Sequence, residues 1–168
     1  MKIDDATVHE FVSMVDNPLI NRKNTVKLLH CIDLTSLNKT DNDEIIIDLC
    51  YQTNTPFGCL AAVCVYPEFV TLAKEQLINS PVKIASVANF PSGMGDAEKV
   101  LAEITQAIAH GATEIDVVMP YSAYLAGDYV NSIEFIKRCK SACAQNVVLK
   151  VIIEAGALRD PILIASAS

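Results

Sequence analysis

Several signals that identify large classes of proteins are missing from this chain of 168 residues. Its longest basic cluster is Arg138-Cys139-Lys140 and its formal net charge is −7, so nucleic acid and anionic membranes, which bind positive surfaces, are not expected partners. The first residues, MKIDDATVHEF, carry acidic groups and lack the apolar core of a secretory signal. No apolar run approaches the length that spans a bilayer. These absences favour a cytoplasmic protein.

The cysteines form no CxxC pair, and the three histidines lie far apart in the sequence. The cysteines stand at positions 31, 50, 59, 64, 139 and 143. Structural metal sites and redox-active disulfides usually require closely spaced ligands or thiols. We therefore expect reduced and mostly buried thiols and no metal site.

Short apolar runs alternate with segments of helical period. The predicted strands are 27–34, 60–66, 82–89, 114–119 and 147–154, and the predicted helices are 3–16, 42–53, 68–78, 96–110 and 122–145. Asp96 is placed to cap the helix at 96–110, and Gly111 is placed to end it. Strict alternation of this kind indicates a parallel α/β sheet.

This order of elements is compatible with two architectures, a doubly wound sheet and a (β/α)8 barrel. No GxGxxG or GxxxxGK[ST] loop follows any predicted strand, so the main signal of a nucleotide site is missing. Several predicted strands also carry polar residues near their C-terminal ends, where barrel enzymes place their catalytic groups. We therefore predict one domain over residues 1–168, an incomplete (β/α)8 barrel of about five βα units preceded by a helix.

Asp116 and Lys150 are the candidate catalytic residues, because each interrupts an apolar strand. The two-residue period of a strand places Lys150, Ile152 and Glu154 on one face. A lysine and a carboxylate inside one barrel could tune each other's pKa for proton transfer, or could form only a structural ion pair. A cysteine in the setting of Cys64 is more often a core residue, while Asp33 could be a turn residue at a strand end and Asn89 could belong to a simple turn.

Five segments, in order, resemble the deoxyribose-phosphate aldolase family of class I aldolases. They are IDLTSLN (32–38), TPFGCLAAVCVYPEF (55–69), IASVANFPSG (84–93), GATEIDVVMPY (111–121) and LKVIIEAG (149–156). The resemblance implies a (β/α)8 barrel that reversibly cleaves 2-deoxy-D-ribose 5-phosphate to D-glyceraldehyde 3-phosphate and acetaldehyde. It also implies a lysine Schiff base as electron sink, with no metal and no cofactor.

The resemblance also assigns roles to particular residues. Asp116 matches the acidic residue of proton transfer, and Lys150 matches a lysine that lines the pocket and tunes its electrostatics. Asp33 and Thr35 match residues close to the substrate. Cys64 matches an active-site cysteine that is not the nucleophile.

One part of the family pattern is not found in these residues. The family's Schiff-base lysine stands on the sixth strand, about a dozen residues beyond Ser168 by this correspondence, and barrels of this kind build their phosphate site after strands 7 and 8. We therefore expect a fragment of a longer enzyme, a shortened and degenerate protein, or two copies that associate through open sheet edges. We expect no appreciable cleavage by this chain alone.

Two other functions stay open at this stage. A non-catalytic, oligomerising half-barrel or scaffold would keep the same strands and form a defined homo-oligomer. A flavodoxin-like binding domain would need a phosphate-binding loop after the first strand, and DLTSLNKTDND offers no glycine and no basic cradle.

Overall fold

The computed structural model describes residues 22–168, and the predicted helix at 3–16 lies outside the described residues. The α-helices are α1 (Arg22–Leu29), α2 (Asp43–Gln52), α3 (Val70–Gln76), α4 (Ala97–His110), α5 (Tyr121–Leu125), α6 (Tyr129–Ala142), α7 (Ala155–Leu158) and α8 (Pro161–Ala167). A single 3₁₀ turn, Pro67–Phe69, leads into α3. Between residues 22 and 168, none of these helices has the length and apolar character for crossing a membrane.

A parallel sheet of five strands organises the chain. The strands are β1 (Asp33–Thr35), β2 (Asn54–Thr55), β3 (Gly58–Cys59), β4 (Ala62–Val65), β5 (Lys83–Ala88), β6 (Glu114–Val118) and β7 (Val148–Ile152). The main sheet has the order β1-β4-β5-β6-β7, and every neighbouring pair is parallel. A short antiparallel hairpin, β2 with β3, was not predicted from the sequence. The predicted alternation of strands and helices is confirmed.

Helix α4 begins and ends as its sequence predicts. The Asp96 side chain accepts a hydrogen bond from the backbone N–H of Lys99, which satisfies one of the unpaired donors of the first turn. Gly111 ends the helix with a φ of 120°, a conformation that a residue with a Cβ rarely adopts. Helix α4 therefore begins and ends at defined residues in the connection from β5 to β6.

The first predicted strand, 27–34, is wrong over most of its length. Residues up to Leu29 belong to α1, and β1 contains only Asp33–Thr35. Short apolar runs do not distinguish a strand from a helix by periodicity. Leu28 is 64% exposed, so this run includes a surface helix residue rather than a buried strand residue.

The long predicted helix at 122–145 is two helices. Helix α5 ends at Leu125, and α6 begins at Tyr129. Gly127 between them has a φ of 90°, and the Asp128 side chain accepts a hydrogen bond from the backbone N–H of Asn131. A left-handed glycine followed by a capping aspartate ends one helix and starts the next.

The two faces of the sheet carry different side chains. The outer face packs under the helices and forms the main hydrophobic core, which includes Ile46, Val63, Val65, Ile104, Ile115, Val117 and Cys139. The inner face carries a smaller apolar group, in which Cys64, Ala85 and Val87 are the buried members. Because these inner side chains are short, they leave room for longer polar side chains above them.

Candidate active site

Lys150 and Asp116 lie side by side on neighbouring strands. They are direct register partners in the pairing of β6 with β7. Since side chains of register partners point to the same face of a sheet, both project onto its inner face. The Lys150 Nζ lies 3.2 Å from the Asp116 Oδ1, without the alignment of a hydrogen bond. The structure therefore brings together the two predicted catalytic residues.

Lys150 is the centre of a cluster with three carboxylates. Its Nζ donates a hydrogen bond to Asp33 Oδ2 and lies 3.0 Å from Glu114 Oε2, in addition to its contact with Asp116. The exposed fraction of the side chain is 35% for Lys150, 32% for Asp33, 19% for Glu114 and 17% for Asp116. We call these four residues the Lys150 cluster.

The contact between Lys150 and Asp33 shows that the sheet is strongly curved. Asp33 lies on β1 and Lys150 on β7, the two outer strands of the five-stranded sheet. In a flat sheet, four steps of about 4.8 Å would separate these strands by roughly 19 Å. A lysine and an aspartate side chain cannot close such a gap. The curvature is typical of a barrel wall and argues against an open, doubly wound sheet.

Sequence reasoning missed Glu114 as a site residue. It opens strand β6, two residues before Asp116, so the two carboxylates share a face. The alternation in EIDVV contains this signal, because Glu114 and Asp116 flank the fully buried Ile115.

Cys64 lies next to the cluster on β4. Its side chain is buried, and the Sγ is 3.8 Å from Asp116 Oδ2, to which the thiol donates. Burial and the nearby charge of Asp116 raise the pKa of Cys64 to about 12, although Lys150 acts in the opposite direction. A thiol with this pKa is protonated at neutral pH and is therefore a poor nucleophile.

Thr35 is on the same strand as Asp33 but stays outside the cluster. Its side chain is exposed, and its hydroxyl donates to the backbone carbonyl of Asp33 at 3.0 Å. The register places Thr35 beside Cys64, one level above Asp33 toward the C-terminal ends of the strands. Thr35 thus lies at the rim of the concave inner face around the Lys150 cluster, which we call the basin.

The predicted alternation of Lys150, Ile152 and Glu154 does not extend to Glu154. Strand β7 ends at Ile152, and Glu154 has a φ of 53°. Its backbone carbonyl accepts hydrogen bonds from the N–H groups of Ala157 and Leu158 at the start of α7. The carboxylates that contact Lys150 come instead from β6, the neighbouring strand, and from β1, which the curvature of the sheet brings close to β7.

Asn89 belongs to a structural turn after β5. Its Nδ2 donates to the carbonyl of Val118 at 2.8 Å, and its Oδ1 accepts from the N–H of Gly95 at 2.7 Å. Its backbone N–H donates to Glu103 Oε2, and a cis peptide bond joins Phe90 to Pro91. The Asn89 side chain thereby connects the ends of β5 and β6, and both its amide nitrogen and its amide oxygen are hydrogen-bonded in this role.

The surroundings of Lys150 favour the charged ammonium. Burial acts to lower the pKa of Lys150, but the close contacts to Asp33 and Glu114 and the charge of Asp116 outweigh it and raise the pKa above its ordinary value. A lowered pKa, which could have made Lys150 a weak imine-forming amine, is therefore not found. Lys150 is suited to act as a fixed cation.

The surroundings of Asp116 favour its neutral, protonated carboxyl over the charged carboxylate. Burial raises the pKa of this carboxyl, the ammonium of Lys150 lowers it, and the charges of Asp33 and Glu114 raise it again, with a net increase. A carboxyl whose pKa lies closer to neutral pH exchanges protons more readily in general acid–base chemistry. In the part of the chain that the structure describes, no group of three or more His, Cys, Asp or Glu side chains is placed to hold a metal ion.

Comparison with known proteins identifies relatives of this chain. A family model described as DeoC/LacD family aldolase matches residues 27–167. A crystal structure from Coccidioides immitis, assigned as a deoxyribose-phosphate aldolase, is 26% identical over 91% of this chain with a TM-score of 0.75. The tetrameric deoxyribose phosphate aldolase from Aeropyrum pernix is 28% identical over 85% of this chain with a TM-score of 0.69. A Toxoplasma gondii protein with the same assignment as the first is 22% identical over 91% with a TM-score of 0.76, and shows the same fold.

The chain spans about 60% of the length of these solved structures, since it covers 61%, 60% and 59% of them, respectively. The parallel sheet with its alternating helices therefore corresponds to part of a (β/α)8 barrel, as predicted. Because the family model matches most of the chain, from residue 27 to residue 167, the protein belongs to the DeoC/LacD aldolase family, a family of lyases.

Proposed function

We propose that this chain supplies the acid–base residues of a class I aldolase active site. The proposed substrate is a phosphorylated deoxy sugar, 2-deoxy-D-ribose 5-phosphate. One observation carries the proposal. The Lys150 cluster lies on the inner face of a curved parallel sheet, where Asp116 has a raised pKa beside a fixed ammonium. Barrel enzymes bind and convert their substrates at the C-terminal ends of such strands.

The proposed reaction needs an imine as its electron sink. A lysine amine condenses with the sugar aldehyde and releases water, and the protonated imine then accepts the electron pair of the breaking carbon–carbon bond. The hydroxyl of the departing fragment loses its proton as glyceraldehyde 3-phosphate forms. The resulting enamine takes up a proton at carbon and is hydrolysed to acetaldehyde.

We propose that Asp116 carries out these proton transfers. Lys150 provides a fixed positive charge beside it. A carboxyl with a raised pKa can accept the hydroxyl proton and return it to the enamine carbon, directly or through water. Thr35 is proposed to contact the substrate at the rim and Asp33 to contact it deeper in the basin, while Cys64 lines the basin beside Asp116.

The amine that forms the imine is not among the residues of the cluster. Lys150 is the last lysine of the 168 residues, and its three carboxylate neighbours keep it charged. We therefore expect this chain by itself to bind the sugar phosphate weakly, through contacts to the sugar carbonyl and hydroxyl groups, and not to turn it over.

Binding and imine formation can be tested separately on this chain. In an NMR titration with 2-deoxyribose 5-phosphate, we expect shift changes concentrated at Asp33, Cys64, Asp116 and Lys150, and smaller changes with glucose 6-phosphate. Borohydride reduction in the presence of acetaldehyde, followed by peptide mass spectrometry, should leave Lys150 unmodified. Shift changes confined to other surfaces would contradict the proposed site, and an ethyl adduct on Lys150 would contradict its role as a fixed cation.

A second candidate function rests on the outer edge of the sheet. Among the described residues, β1 and β7 each pair with a strand on one side only. Strand β7 exposes Val148 and Val151, and a cavity of about 760 Å³ next to it is lined mostly by apolar side chains, such as Ile133, Ile136 and Ile153. An open edge with apolar flanks favours pairing with another chain.

The second candidate is a non-catalytic half-barrel that assembles into a homo-oligomer. Light scattering with the purified chain distinguishes it from the first. A defined dimer or tetramer that unfolds cooperatively and shows no shift changes with the sugar phosphate would favour the scaffold. A monomer that binds the sugar phosphate in the basin would favour the aldolase site.

A further inference from the structure

Glu114 is a largely buried carboxylate to which the proposed reaction assigns no task. Its side chain is 19% exposed, less than that of Asp33, and its Oε2 lies 3.0 Å from the Lys150 Nζ. Removing a carboxylate from water is unfavourable unless a partner compensates for the lost hydration. Among the described residues, the charged partner that Glu114 contacts is Lys150.

We propose that Glu114 is a positioning residue, which together with Asp33 fixes the Lys150 ammonium beside Asp116. The inference rests on the proposed function, because it explains how one part of that site is held. Glu114 does not touch the substrate in this proposal. It holds Lys150 by direct contact, and its negative charge also acts directly on the proton affinity of Asp116.

The strand register explains why a third carboxylate is needed. Asp116 is the direct partner of Lys150, whereas Glu114 pairs with Val148, one level closer to the N-terminal ends of the strands. Asp33 approaches from β1, on the opposite side of the basin. A lysine side chain has several rotatable bonds, and contacts from three directions hold its end in one place. Without Glu114, the ammonium would lose its contact with the carboxylate that lies one level below Asp116 on β6.

Among the described residues, the titratable groups in contact with Lys150 and Asp116 come from three strands. They are Asp33 on β1, Cys64 on β4, and Glu114 with Asp116 on β6. Strand β5 contributes the uncharged Ala85 and Val87, and its two-residue period places the exposed Lys83 on the same face at the start of the strand. Substitution of Glu114 by glutamine removes one negative charge and keeps the shape. Lys150 then loses an attracting anion and Asp116 loses a repelling one, so both groups bind their protons less tightly.

The test compares Glu114→Gln with the wild-type chain in two measurements that need no substrate. The first is the acetylation rate of Lys150 by acetic anhydride at fixed pH, measured by peptide mass spectrometry relative to the other lysines. The second is the titration midpoint of the Asp116 carboxyl carbon by NMR. We expect an increase of about tenfold in the Lys150 rate and a decrease of about one pH unit in the Asp116 midpoint.

The matched control is Glu98→Gln, which removes a carboxylate that pairs with Arg138 on the surface, where the Glu98 side chain is 77% exposed. This control should change neither measurement at Lys150 and Asp116. If the folded Glu114→Gln chain behaves like the control, Glu114 only fills space and the proposal is wrong.

A second variant covers the case in which Glu114→Gln does not fold. Glu114→Asp keeps the charge but withdraws it by one methylene, and an intermediate rise in the Lys150 acetylation rate is expected. An unchanged rate in this variant would equally overturn the proposal. Because neither readout uses the sugar phosphate, a failure of that ligand to bind would contradict the proposed function and would leave this test unaffected.

Discussion

Asp116 is largely buried and lies close to charged groups of both signs, and their net effect is to raise its pKa. The folded chain therefore binds the Asp116 proton more tightly than the unfolded chain does. Between the raised pKa and the ordinary value of 3.8, the folded state holds more protons, so the stability contributed by this group increases as the pH falls through that range.

Asp116→Asn should remove this contribution. We expect the free energy of unfolding of the wild type, minus that of the variant, to increase as the pH is lowered from neutral toward 4. Urea unfolding at a series of pH values measures it, with Asp48→Asn as a control that removes an exposed carboxylate outside the cluster. A difference that stays constant or decreases on acidification would show that Asp116 is not held in a destabilised charged state.

The thiols provide a second prediction at the residue scale. Burial raises the pKa of Cys64 from 9.0 to about 12, and that of Cys50 and Cys139 to about 11, whereas Cys31 is exposed. An increase of three units reduces the thiolate fraction at pH 8 roughly a thousandfold. Iodoacetamide should therefore label Cys31 first and Cys64 among the last.

Peptide mass spectrometry over time follows this labelling, and the same reaction in urea is the control. All six cysteines should react at similar rates once the chain is unfolded. Early labelling of Cys64 in the folded chain would mean that the basin beside Asp116 is open enough to ionise the thiol.

At the scale of elements, Asn89 joins the ends of β5 and β6 through its side chain and has a φ of 57°. Asn89→Ala loses both side-chain hydrogen bonds and places a Cβ without a compensating polar group in the left-handed region. We expect a loss of about 2–4 kcal/mol in the free energy of unfolding, from the unpaired polar groups and the backbone strain.

Asn89→Gly separates the two contributions, because glycine adopts a positive φ without strain. It should be more stable than Asn89→Ala by about 1 kcal/mol, while still lacking the side-chain hydrogen bonds. Thermal and urea unfolding of both variants give the comparison. If alanine is tolerated as well as glycine, the left-handed conformation of this turn does not constrain the sequence.

Element boundaries illustrate what local sequence can predict. The cap at Asp96 and the stop at Gly111 were predicted correctly, because both depend on contacts within a few residues. The run before Asp33 was assigned to a strand, although it ends helix α1. Both conformations satisfy a short apolar run, and the choice depends on which surface of the molecule the run faces.

At the scale of the whole molecule, the pair of Asp33 and Lys150 connects the two outer strands of the sheet. Both side chains are about one-third exposed, so solvent weakens their attraction. A double-mutant cycle with Asp33→Asn and Lys150→Met should give a coupling energy of about 1 kcal/mol. In a flat sheet these residues would be too far apart to couple.

The matched control replaces Lys150→Met by Lys137→Met in the same cycle. Lys137 pairs with Glu134 within α6, and its side chain is 69% exposed. The effects of Asp33→Asn and Lys137→Met should add. If the effects of Asp33→Asn and Lys150→Met also add, the two side chains do not interact. That result would contradict the sheet curvature that brings β1 close to β7.

The sequence by itself determined the alternation of strands and helices, the family and the residue types of the site. Apolar periodicity and the residues that end helices are local properties, and the five family segments contain Asp33, Thr35, Cys64, Asp116 and Lys150. The resemblance assigns their proposed roles without showing which of them are in contact.

Only the tertiary structure decided the contacts around Lys150. Sequence spacing placed Glu154 on the same strand face as Lys150, but the carboxylates that contact Lys150 are Asp33, from 117 positions away, and Glu114, from the neighbouring strand. It also decided that the pKa of Lys150 is raised rather than lowered, because that direction depends on how many carboxylates surround the ammonium. The pKa is set by distances in space, and strand curvature creates those distances without leaving a signal in the local sequence.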